Sequence, residues 1–355
     1  MSWPSGETLA LIEHYLPDRL ISRLALANAR AIAERLPEAI YSYYLECRLD
    51  DSPQVDFLVS MVAGSGRDVW AGQQRERGSA EPLLATAPWR PIRNFLHRWA
   101  EPDTLLHTHA PMIWLEFDRV QAALPDSPLP GVCFCLDPDY VETGPSFQPS
   151  SRLSLPVYQA LADEALTLLY ERPLSAQTRQ RLQVCYEQLP AGGRLIHISA
   201  MLARQPPVLK MYAAVPRNDL PTYLRRIAWP GSHADLAEIV AKFFPALCLL
   251  FVDLTLGDAI APRLGLACSQ VHLHSRAQSD PGWGALLDLS VAEGFCTPQK
   301  RAGLLNWPGA ARHPFHGHNW PVRLHRWLDL KLVYQPEQPL EVKAYLGFMP
   351  TFSIF

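Results

Sequence analysis

The chain has 355 residues, of which 48% are hydrophobic and 19% charged, and its net charge at neutral pH is −3. That balance supports a substantial folded core and excludes a disordered chain, and it leaves no electrostatic footprint for nucleic acid or an anionic membrane surface. Seven cysteines form no Cys-x-x-Cys pair, and their odd number argues against a disulfide framework.

The first twenty residues lack a basic segment followed by an apolar one, and no apolar run approaches a membrane span, so a cytoplasmic protein is expected. The 33 prolines are scattered between apolar segments and punctuate many short elements. Residues 5–100 read as helical, with helical spacing over 18–36 and short apolar pieces at 56–63 and 91–100. Gly64-Ser65-Gly66-Arg67 lacks the flanking strand and the Lys-Ser/Thr of a phosphate loop, so a turn or surface loop is expected there.

Beyond Pro111 the pattern changes. Strands are predicted over 112–118 and 131–136, helices over 155–170 and 175–188, and a hairpin over 194–216. Helices follow over 219–227 and 232–244, then strands over 247–256 and 263–271, helices over 282–293 and 298–305, and a closing hairpin with strands at 328–334 and 340–348. Cys133-Phe134-Cys135 lies on one of these strands, where both thiols share a face as small buried hydrophobes.

Four hairpins separated by helix pairs make a repeated αββα unit, an α+β fold. Successive antiparallel hairpins can close into a barrel covered outside by amphipathic helices; a curved or flat sheet covered on one face is the open alternative. Residues 1–100 would then be helical segments packing onto a barrel formed by 101–355, in one structural domain.

Two of the strands echo each other. Lys210-Met211-Tyr212 and Lys343-Ala344-Tyr345 each follow a Gln-Pro loop and end on a proline. Alternation puts the lysine and tyrosine of each on one face and apolar residues on the other. The plain alternative is a solvent-facing strand, where both residue types are ordinary. In a barrel with helices outside, the same alternation turns inward Trp114, Glu116 and Asp118, His197 and Ser199, Asp253 and Thr255, Arg263 and Lys331. Cations neutralise an anionic leaving group such as diphosphate, tyrosine rings shield a carbocation, and a lone carboxylate accepts a proton from a nucleophilic ring.

On the repeated αββα order over roughly residues 100–350, the two Lys-x-Tyr strands and Glu116, the sequence resembles the ABBA-type aromatic prenyltransferases, which include indole and cyanobactin peptide enzymes. The resemblance implies an antiparallel barrel around a solvent-filled core and a dimethylallyl diphosphate donor. It also implies prenyl transfer to an aromatic small molecule or peptide side chain, without an aspartate-rich metal motif. Lys210 and Lys343 would hold the diphosphate, helped by Lys331 and Arg263, which alternation adds. Tyr212 and Tyr345 would shield the cation, and Glu116 would orient or deprotonate the acceptor. No cofactor is implied, and Mg is compatible but not required. Neither Lys210 nor Lys343 is expected to be needed for packing. The hairpin over 247–271 departs from the pattern, having no Lys-x-Tyr.

Two other functions compete. His107 with His109, His272 with His274, and the His313, His316, His318 cluster could ligate zinc, iron or copper, although no His-Glu-x-x-His and no cysteine pair accompanies them. A non-catalytic accessory protein that binds a peptide or a partner enzyme through its tryptophans, tyrosines and arginines is the third. No Gly-x-Ser-x-Gly elbow supports a hydrolase.

Overall fold

In the computed structural model, which describes residues 5–72, 82–137, 152–269, 282–314 and 321–352, the apolar runs pair into five antiparallel hairpins. They are β1 (Ser42–Arg48) with β2 (Val55–Val62), β3 (Met112–Phe117) with β4 (Gly131–Cys135), and β5 (Arg194–Met201) with β6 (Val208–Pro216). After β7 (Leu249–Leu256) and β8 (Ile260–Ser269), a short β9 (Gly309–His313) precedes the final pair, β10 (Val322–Tyr334) and β11 (Glu341–Phe352). Each hairpin pairs with the next, and β11 returns to β1, so ten strands close into a barrel. Along one edge of β10 the partners divide: β9 takes Val322–Arg326 and β8 takes Asp329–Tyr334.

Helices fill the connections. α1 (Ser5–Ile12) and α2 (Arg23–Ala33) precede β1, and α3 (Ala63–Trp70), α4 (Arg90–Ala100) and α5 (Leu105–His109) join β2 to β3. α6 (Leu155–Tyr170) and α7 (Ala176–Glu187), α8 (Leu220–Arg226) and α9 (His233–Phe243), and α10 (Trp283–Ala292) and α11 (Pro298–Leu305) follow in the later gaps. Hydroxyl caps fix where several begin: Ser175 accepts from the Thr178 amide at 3.0 Å, Ser232 from Asp235 at 3.2 Å and Thr297 from Lys300 at 3.2 Å. None of the described helices is long and apolar enough to cross a membrane.

The first hairpin corrects the expectation that residues 5–100 are helical, and the barrel begins at Ser42, not after residue 100. The reason is burial on both faces. All seven residues of β1 and all but the last of β2 are buried, which erases the alternation that marks a half-exposed strand and leaves a short apolar run of ambiguous type. Gly64 to Arg67, expected as a turn or surface loop, starts α3, whose Trp70 is buried and donates to the Ala39 carbonyl at 2.9 Å.

The main hydrophobic core lies between barrel and helices. Outward residues of the strands, such as Leu45, Phe57, Ile113 and Leu115, are fully buried in one cluster with the apolar stripe of α4, where Ile92, Phe95, Leu96 and Trp99 repeat at helical spacing and Phe95 meets Phe134 of β4. Each such side chain contributes about 1.5–3 kcal/mol by leaving water. The inward face is thereby released from packing duty, and a separate, smaller cluster with Tyr44, Trp114 and Phe251 lines the inside.

Candidate active site

Register sorts the inward residues into two levels. Moving along β1 from Tyr44 to Glu46 to Arg48, neighbouring strands contribute Gly347, Tyr345 and Lys343 in step on β11, and Leu58 and Asp56 on β2. β3 passes from Trp114 to Glu116, β6 from Tyr212 to Lys210, and β10 from Trp327 through Asp329 to Lys331. One end of the chamber is therefore aromatic and the other ionic.

At the aromatic level, Trp327 Nε1 donates to the Tyr44 hydroxyl at 3.0 Å, and the Tyr44 ring lies 5.3 Å from Trp327 and 5.2 Å from Trp114. His197, Tyr212 and Phe251 stack nearly parallel across three strands at centroid spacings of 5.4 and 5.5 Å. Trp114 Nε1 is buried with no acceptor among the described residues, which leaves a donor for whatever occupies the chamber. Two glycines make these contacts possible. Trp327 reaches Tyr44 by lying over Gly347, where a Cβ would collide with its indole, and Lys331 reaches Asp253 by lying over Gly265, where a Cβ would meet its Cε.

The ionic level is a lattice. Lys343 Nζ lies 2.8 Å from Glu46, Arg48 lies 2.5 Å from Glu46 and 3.3 Å from Asp56, and Arg48 also contacts Glu341. Asp253 bridges Lys331, in direct contact, and Lys210, at 3.5 Å. At the rim Arg204 holds Glu116 at 3.0 Å and Asp118 at 2.8 Å. These charges set one another's protonation. Burial works against ionised Asp253, but Lys210 and Lys331 outweigh it and hold the carboxyl below the usual range. Burial likewise opposes Glu46, and Lys343 and Arg48 win. For Asp56, burial and Glu46 opposite it prevail over Arg48 and push the carboxyl up to about 7. Glu116 is raised by burial, which Lys210 only partly offsets. Tyr345 is raised well above the phenol range by burial and by Glu46, to which it hydrogen-bonds, so it stays protonated.

Between the levels lies a cavity with about 140 Å³ open to water centres. Of the residues singled out from sequence, Glu116, Lys210, Tyr212, Lys331 and Tyr345 line it together. Two do not: Lys343 is turned to Glu46, outside the cavity wall, and Arg263 sits 31% exposed, 3.6 Å from Glu341. The expectation that Lys210 and Lys343 are dispensable for packing meets a buried Lys343 and a half-buried Lys210, each an ion-pair partner of a buried carboxylate, so removing either leaves Glu46 with Arg48 alone or Asp253 with Lys331 alone. Missed by the sequence reasoning were Tyr44, Glu46 and Arg48 on β1, and Trp327 and Asp329 on β10. The alternation Tyr44-x-Glu46-x-Arg48 carried the same signal as Lys-x-Tyr.

Cys133 lines the cavity, and burial pushes its thiol up to about 12, which suits an inert filler; Cys135 is buried alongside. His107 and His109 lie on α5, not on a strand, with His107 Nε2 3.0 Å from Arg67. His313 Nε2 meets the Tyr15 hydroxyl at 3.1 Å, and His272, His274, His316 and His318 fall outside the described residues. Among the described residues no group of three or more His, Cys, Asp or Glu is placed to hold a metal ion.

A closed ten-stranded antiparallel barrel built from αββα units, with its polar groups inside, is the fold of the ABBA-type prenyltransferases. Two solved structures share it over 96% of this chain. One is PriB in a binary complex with product diphosphate (TM-score 0.50, 14% identity, 94% of that chain). The other is 5-dimethylallyl tryptophan synthase from Streptomyces coelicolor in complex with DMASPP and Trp (TM-score 0.50, 14% identity, 93% of that chain). No protein-family model matches the sequence, and no curated protein matches it. At this identity the likeness is one of fold.

Proposed function

We propose that the protein transfers a prenyl group from an allylic diphosphate to an aromatic acceptor, either a small molecule or an aromatic side chain of a peptide. The observation that carries this is the barrel cavity in which Lys210 and Lys331 stand with Tyr212, Tyr345, Tyr44 and Trp114, the last two backed by Trp327 through its contact with Tyr44. Diphosphate in one matching structure, and DMASPP with Trp in the other, support it.

In the reaction the donor's C1–O bond breaks, and its electron pair leaves with the diphosphate, whose charge Lys210 and Lys331 take up. Lys343 and Arg263 act from behind and from the rim. The π faces of Tyr212 and Tyr345 shield the allyl cation until a nucleophilic ring atom of the acceptor bonds to it. The acceptor's displaced proton goes to Glu116, whose raised carboxyl makes it a better base at neutral pH. No metal is needed for a leaving group held by lysines, and the work is cytoplasmic. The test is incubation with dimethylallyl diphosphate and tryptophan, tyrosine or aromatic peptides, with and without EDTA, read by mass spectrometry. A prenylated product that survives EDTA is expected; none with any acceptor contradicts the proposal.

One observation favours a second function, an accessory barrel that binds an aromatic ligand and transfers nothing. Arg48, Lys210, Lys331, Lys343, Arg204 and Arg263 are all already paired with carboxylates. An aromatic ligand bound without any affinity for diphosphate would decide for it.

A further inference from the structure

The hairpin of β7 and β8 breaks the Lys-x-Tyr pattern, and what stands on β7 is a carboxylate. Asp253 faces the cavity between Tyr212 on β6 and Gly265 on β8, and it is buried. A single oxygen, Oδ2, meets both ammonium groups: Lys331 in direct contact and Lys210 at 3.5 Å. That is the arrangement a phosphate oxygen would adopt between two lysines. It is also a built arrangement, because Lys331 spans β8 to make it and can do so only across the bare backbone of Gly265.

We infer that Asp253 is an internal stand-in for the donor's diphosphate: it gathers Lys210 and Lys331 before the donor arrives, must give them up when it binds, and reclaims them as the product diphosphate leaves. The inference rests on the proposed transferase reaction. Its consequence is counterintuitive. A carboxylate in the donor site weakens diphosphate binding by competing for the same two cations, and it speeds release of the anionic product, the step that limits many enzymes. Asp253 is thus a positioning residue that sets donor affinity. Other carboxylates in the lattice do not share this place, since Glu46 pairs with Lys343 and Arg48, and Glu116 with Arg204.

The test is titration of the wild-type protein and Asp253→Asn with inorganic diphosphate and with dimethylallyl S-thiolodiphosphate, with Lys210→Met as the control that should lose affinity. Freed of their competitor, the two lysines should bind inorganic diphosphate on the order of tenfold tighter in Asp253→Asn, with product inhibition strengthened in proportion. A residue with only a structural role would leave binding unchanged or weaken it, and either result in a folded variant overturns the inference while leaving the transferase standing. If Asp253→Asn binds and the wild-type protein does not, Asp253 closes the site instead of yielding it to the donor, and the inference falls with the transferase; if neither binds, both fail as well. Should the variant not fold, a crystal structure of the wild-type diphosphate complex decides. Lys210 and Lys331 on the ligand, parted from Asp253, supports the inference, and retained Asp253 contacts overturn it.

Discussion

His197 is an imidazole in a wall of charges, and it stays neutral. Burial drives its pKa from 6.5 to about 3, outweighing the pull of Asp253. Its ring instead serves as the first member of the stack through Tyr212 to Phe251, which keeps Tyr212 face-on to the cavity. Between pH 3 and 6.5 the unfolded chain carries a proton here that the folded one lacks, so this residue makes stability rise with pH across that window. Asp56, raised to about 7, acts in the opposite sense, and the depressed Asp253 and Glu46 act in the same sense as His197. Comparison with His197→Gln isolates the histidine: the variant should show a shallower loss of melting temperature on acidification below pH 6.5. A wild-type slope in the variant would place the acid sensitivity elsewhere.

At the scale of elements, one covering helix also fixes the strand beneath it. Lys300 on α11 is buried, with Nζ donating to the Arg48 carbonyl at 2.6 Å and to the Ser52 carbonyl at 2.9 Å. It thereby holds the end of β1 that supplies Arg48 to the ionic lattice. Lys300→Met should lower unfolding free energy by about 2 kcal/mol in a denaturant titration, because two carbonyls lose a charged donor. A change within about 0.5 kcal/mol, the range of an inconsequential surface substitution, would show that the helix does not anchor the strand.

The elements also explain what could be read beforehand. Four hairpins were legible because Pro and Gly punctuate them, and in three of them a Lys-x-Tyr or Glu116 face alternates against an apolar one. β1 and β2 were not, because a strand buried on both faces loses its period. The site was legible to the same degree. Alternation turned Lys210, Tyr212, Lys331, Tyr345 and Glu116 to one cavity, but it is blind to reach. It could not foresee that Lys343 would be taken by Glu46 or Lys331 by Asp253, since those contacts cross strands far apart in sequence.

The whole molecule is a barrel turned inside out relative to a small packed one. Its large apolar core lies outside the strands, where helices cover it, and that arrangement lets the interior hold buried ions and open space. Such an interior is costly unless the charges are matched, and the lattice of Glu46, Asp253 and their lysines matches them. In the proposed reaction a trianionic donor would enter by exchange, replacing protein carboxylates with its own phosphate oxygens, and the aromatic end would receive the prenyl chain and the acceptor. The most direct test is calorimetric titration of the wild-type protein with dimethylallyl S-thiolodiphosphate, with and without EDTA. Binding with a Kd on the order of micromolar, about −8 kcal/mol, that EDTA leaves unchanged is the predicted result; no measurable binding in either condition would contradict a donor site in this chamber.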